Sequence, residues 1–131
     1  MNRTVWAVVM AAGVALAGGC GNSKPTRSLG EEHKGALEEL GEVLKGLATE
    51  GGKPPAKLAE LEPLEPRLPV AGPAIRNGTI VYQWGAGYAA GGTQVVAYEK
   101  AAADAGGYVL LQDGTVKKLS AAEFQSAPKA K

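Results

Sequence analysis

Cys20 and His33 are the only cysteine and the only histidine of the chain. A thiol can be alkylated, and a lone imidazole can serve as base to a nucleophile. One cysteine cannot close an internal disulfide, and one of each falls short of an ordinary Cys/His zinc site. His33 stands among Glu31, Glu32 and Lys34 and reads as a solvated residue near a helix start. Ser28, Ser120 and Ser126 coexist with many lysines, but no spacing singles out a Ser-Lys pair. Glu99, Asp104 and Asp113 are the only acids of the C-terminal half before Glu123. Two of them could support glycoside hydrolysis, although Asp113 is better explained by a turn. No phosphate-cradling glycine motif opens a helix after a strand. We therefore assign no catalytic residue, metal or cofactor, and a small hydrolase is the weakest of the functional alternatives.

Ring stacking is the other chemistry on offer. Five aromatics, Tyr82, Trp84, Tyr88, Tyr98 and Tyr108, fall in the region that reads as sheet. Exposed together, they would make a platform for sugar rings or peptides, with Trp84 and Tyr88 as contacts. Buried, Tyr82 and Trp84 would share the core face beneath a helix, leaving Tyr88 in its glycine loop as the exposed contact.

Fourteen Lys and Arg against thirteen Asp and Glu leave a net charge of +1 over 131 residues, so no basic field exists to gather nucleic acid. The charge is uneven. Residues 31–65 hold nine acids and four bases, and residues 67–131 hold four acids and seven bases. A solvated acidic helix face beside a mildly basic sheet end accounts for this, with a charged partner as the alternative. A hydrophobic content of 45% suits one folded domain.

The start of the chain is a secretion signal: Arg3, then fifteen uncharged residues from Val5 to Gly19, then Cys20. That run is short of the roughly 20 residues needed to span a membrane as a helix. Leu16-Ala17-Gly18-Gly19-Cys20 resembles the bacterial lipoprotein lipobox, with Ala17 where leucine is usual. The resemblance implies cleavage between Gly19 and Cys20, acylation of the Cys20 thiol, and a membrane lipid as partner through Cys20. It also implies a location in the cell envelope, with Gly21 rather than Asp after the cysteine favouring the outer membrane. Several acyl chains, at about 0.8 kcal/mol per buried methylene, make a stable anchor.

The expected organisation is a signal over residues 1–19, a tether over 20–27, a domain over 28–125 and a disordered tail over 126–131. Ser28-Leu29-Gly30-Glu31 fits a capping box, and Leu37, Leu40, Leu44 and Leu47 then form a helical stripe with Glu38, Glu39 and Glu42 facing water. Gly51-Gly52 ends this helix. Six prolines between Pro54 and Pro73 predict a short helical turn at residues 57–61 and then an extended wrap, with Leu61, Leu64 and Leu68 as pegs. Strands are expected over 79–84, 93–99, 108–112 and 115–119, the last two joined by a two-residue Asp113-Gly114 turn. Ser120 and Glu123 repeat the capping box before Phe124. The fold class is α+β: one long N-terminal helix packed on one face of a four-stranded antiparallel sheet.

The order of elements resembles the globular part of type IV pilin-like proteins, the pseudopilins of type II secretion. Pro55-Ala56-Lys57-Leu58-Ala59-Glu60-Leu61 and Ile80-Val81-Tyr82-Gln83-Trp84-Gly85 carry that likeness. Val95-Val96-Ala97-Tyr98-Glu99-Lys100 and the stretch from Val109 to Ser120 resemble the ends of prepilin-type proteins abundant in planctomycetes. The prepilin-peptidase site and polymerising helix are missing, and Thr115 stands where those relatives often have histidine. What the resemblance implies is a pilin-like fold held on a membrane by lipid, with a non-catalytic role in binding or assembly and envelope proteins as partners. Some pseudopilins bind calcium near the position of Asp104. A glycan- or peptide-binding module is the alternative.

Overall fold

The computed structural model describes residues 29–131. The signal, the Gly19-Cys20 junction, the tether and Ser28 of the first capping box lie outside the described residues. Helix α1, Leu29–Thr49, buries Leu37, Leu40 and Leu44 of the predicted stripe together with Ala36 and Val43, while Leu47 is only partly buried. It stops where Gly51 takes φ +74°. There the Gly52 amide donates to Leu47 O at 2.8 Å and the Gly51 amide to Ala48 O at 3.4 Å, which satisfies carbonyls the last turn would leave open.

The proline segment departs from expectation. It forms two 3₁₀ stretches, Leu58–Glu60 and Glu62–Arg67, then helix α2, Ala71–Arg76, instead of an extended wrap. Proline's fixed φ suits a helical turn as well as an extended chain, and its missing amide costs little in short turns. Hydrogen bonds such as Leu64 N to Leu61 O at 2.9 Å close these turns. Leu61 and Leu68 are fully buried pegs, as predicted, and Leu64 packs beside them. Glu39 is also corrected: it does not simply face water. Its Oε1 accepts from the Val70 and Ala71 amides, at 3.0 Å each, and so caps α2 from a different helix.

Four strands, β1 Ile80–Tyr82, β2 Val95–Glu99, β3 Gly107–Leu111 and β4 Val116–Leu119, pair antiparallel in chain order. The β3–β4 connection is one residue longer than predicted. The Leu111 amide reaches Thr115 O, so Gln112, Asp113 and Gly114 form a three-residue loop in which Gly114 carries φ +87°. An irregularity between Val95 and Ala97 places Val96 and Ala97 in one core and leaves Val95 in the other.

The sheet is covered on both faces, where only one covering layer was expected. Leu110 faces the core with α1, while Val109 and Leu111 belong to a second core with Phe124. That second layer is built by α3, Ala102–Ala105, which the sequence reading missed, and α4, Ala121–Ser126. In α4 the predicted capping box is present, Ser120 Oγ accepting from the Glu123 amide at 3.1 Å. The disordered tail is a further correction. The Val95 amide donates to Pro128 O at 2.8 Å, the Ala130 amide donates to Val95 O at 2.9 Å, and Ala130 is buried. Since β1 pairs with β2 only as far as Ala97, the free edge at Val95 accepts this segment. Lys129 secures it, its ammonium 4.2 Å from the Phe124 ring centroid and donating to Ala127 O at 2.8 Å.

Candidate functional site

The direction of α1 defines two ends of the domain. Near its start, Gly30 lies against the Tyr108 ring, and at Gly41 it passes Leu110 and the Gly114 turn. Its 21 residues span about 31 Å. A cleft opens at each end.

At the end reached by the C-terminal turns of α1, the loop between β1 and β2 folds back over the helix. The Ala89 amide donates to Gln112 O at 2.8 Å, tying the loop to the hairpin, and bare Gly87 fits against Pro54, which a Cβ there would approach to 3.1 Å. The result is a cleft of about 330 Å³ walled mainly by Leu44, Leu47, Ala48, Pro54 and Tyr88, with Gln112 at its side. The Lys45 ammonium stands 6.0 Å from the Tyr88 ring centroid.

Trp84 does not share this cleft. The predicted alternation fails after Tyr82, where β1 ends. The Gly85 amide bonds to Pro55 O at 2.9 Å and Gly85 adopts φ +88°, so the chain turns before Trp84 can point into the core. Tyr82 is 4% exposed and Trp84 38%, the two rings meeting edge to face at 5.1 Å. Burial raises the pKa of the Tyr82 hydroxyl above its ordinary value, which keeps it a donor to Ala86 O. The two rings proposed as contacts thus occupy different places: Tyr88 in a cleft and Trp84 on the surface.

The second cleft, about 450 Å³, lies beside the start of α1 and is lined by His33, Thr79, Glu99, Lys100 and Asp104. His33 is half-buried, contrary to its reading as a solvated residue, with Nδ1 3.4 Å from Glu99 Oε1. A signal for this was present. His33 precedes Leu37 by four residues and Leu40 by seven, on the buried stripe of the helix. The Glu99 side chain is 12% exposed and lies over Gly107, where a Cβ would come within 2.5 Å of Oε2; its Oε1 has no hydrogen-bond partner among the described residues.

An imidazole beside a carboxylate is two parts of a hydrolytic triad. The hydroxyl lining the same cleft belongs to Thr79, and it donates to Asn77 Oδ1. Ser120 is occupied with its helix cap. Of the three acids, Glu99 and Asp104 share this cleft while Asp113 lies in the hairpin loop. There Asp113 Oδ1 accepts from the Thr115 amide at 2.9 Å, and this bond holds its carboxyl below its ordinary pKa. Among the described residues, no group of three His, Cys, Asp or Glu side chains converges to hold a metal, and no helix is long and apolar enough to cross a membrane. Compared with protein-family models, curated proteins and solved structures, the chain matches none.

Proposed function

We propose that this chain is a lipid-anchored protein of the cell envelope whose domain has a non-catalytic binding or assembly role. The observation that carries the reading is the Leu16–Cys20 run: an uncharged segment ending in small residues and the chain's single cysteine, followed by a short polar stretch up to the helix that starts at Leu29. Extended, residues 20–27 reach at most about 27 Å, so an acylated Cys20 would keep the start of α1 near the bilayer. The pilin-like resemblance supports assembly with envelope partners.

The test is Cys20→Ser in cells fed labelled palmitate. The parent chain should carry label and sediment with membranes, whereas the variant should lose the label and accumulate as the uncleaved precursor. Processing and labelling that survive the substitution would sink the anchor. A second reading, a glycan- or peptide-binding module, is favoured by Tyr88 opening on a cleft, although Trp84 lies outside it.

A further inference from the structure

The cleft at Tyr88 lies at the end of α1 opposite the proposed anchor, so it would open away from the bilayer. Its walls are hydrocarbon: Leu44, Leu47, Ala48, Pro54 and the Tyr88 ring. Its polar fittings are few. The Gln112 side-chain amide makes no hydrogen bond within the described residues, and Lys45 stands over the ring. Lys45 is exposed and forms no ion pair among the described residues. Glu42, one turn back, makes none with it, and Glu50, beyond it on the chain, is engaged by Arg67 at 3.9 Å. Lys53, between the lining residues Gly52 and Pro54 in sequence, is also exposed and forms no ion pair among the described residues. The Lys45 ammonium thus stands beside an apolar floor.

We infer that this cleft binds the end of a peptide chain, an apolar side chain entering between Leu47 and Tyr88 and a carboxylate meeting Lys45. A sugar ring would need several fixed partners for its hydroxyls, and the cleft supplies one amide. An apolar residue beside a carboxylate matches both the hydrocarbon walls and the unpaired ammonium.

This inference rests on the binding role proposed above but not on the lipid. Failure of Cys20 acylation would leave the following titration intact, and failure of the titration would leave the label on Cys20. The ¹⁵N-labelled full chain in detergent is titrated with acetyl-Ala-Leu-Ala as free acid, with the same tripeptide as carboxamide, and with tri-N-acetylchitotriose. The free acid should shift the amides of Leu47, Ala48, Tyr88 and Gln112 saturably. The carboxamide, and the free acid with Lys45→Gln, should bind about fivefold more weakly, as expected for losing one exposed charge contact. Lys45 is solvent-facing, so its variant should retain the parent spectrum elsewhere. Equal binding of acid and amide, saturation by the trisaccharide in place of the peptide, or no saturable shift at these amides with the free acid would each overturn the inference.

Discussion

Replacing Gly35 and Gly41 of α1 separately by alanine tests how closely the helix lies on the sheet. Both are interior helical glycines, so each alanine gains about 1 kcal/mol of intrinsic helix stability. Their surroundings differ. A Cβ on Gly35 meets nothing within 4 Å, whereas one on Gly41 comes 3.0 Å from Leu110 Cδ1 and 3.6 Å from the carbonyl oxygen of Gly114. Leu110 is fully buried between the sheet and the helix and has little room to yield. Overpacking of this kind costs roughly 1–3 kcal/mol. Gly35→Ala should therefore stabilise the protein by about 1 kcal/mol, raising Tm by about 5 °C for a domain of this size. Gly41→Ala should be neutral or destabilising by up to about 2 kcal/mol. Subtracting one urea midpoint from the other cancels the propensity gain and leaves the packing cost alone. Equal stabilisation by both alanines would refute the close approach of α1 to β3 at Gly41.

Other substitutions address the elements the sequence hid or announced. Ser120→Ala removes the cap of α4 and should cost about 1 kcal/mol in urea unfolding, with Ser120→Gly costing less. Deleting residues 128–131 should strip the pairing at Val95, lower Tm and speed amide exchange at Val95, whereas a free tail would change neither. The lowered pKa of Asp113 sets the sign of a pH effect: its contribution is complete above the ordinary carboxylate range and is lost as pH falls through the folded-state value. Asp113→Asn should accordingly lower stability at neutral pH and change it little in acid, which flattens the acid limb of the profile.

Much of the fold was legible because α1 and the hairpin announce themselves by period and turn chemistry. Leu37, Leu40 and Leu44 repeat at helical spacing, and Asp113-Gly114 between apolar runs marks a reversal. The loop came out one residue longer because a positive φ at Gly114 serves a three-residue loop as well as a two-residue one. Helix α2 was illegible for a different reason: its first amides are capped by Glu39 from more than thirty residues away, which no local pattern can report. Helix α3 spans four residues of alanine and aspartate, too short for a period to show. The tail was misread because its partner is a strand edge created only when β1 stops short. At the clefts, Tyr88 was found through its glycine loop, and Trp84 was misplaced by extending the alternation past the end of β1.

The covering of both sheet faces narrows where the domain can act. With α1 and the proline segment on one side and α3 and α4 on the other, both faces of the sheet are largely covered. The outer edge of β4 carries exposed Lys117 and Lys118, and lysines on an edge discourage the addition of another strand. The other outer strand, β1, is only three residues long. Two clefts lie at the two ends of the domain. One holds the His33–Glu99 pair beside the helix turns that follow the proposed tether, so with the proposed anchor in place anything bound there would have to fit between the domain and the bilayer. The opposite end has no such neighbour, and its floor is fixed by Leu44 of the core helix while its wall is a glycine loop held by the hairpin through Ala89 and Gln112. A rigid floor beside a tied loop is what a shape-selective contact requires, and this end of the domain provides it in a direction that the proposed anchor would leave open.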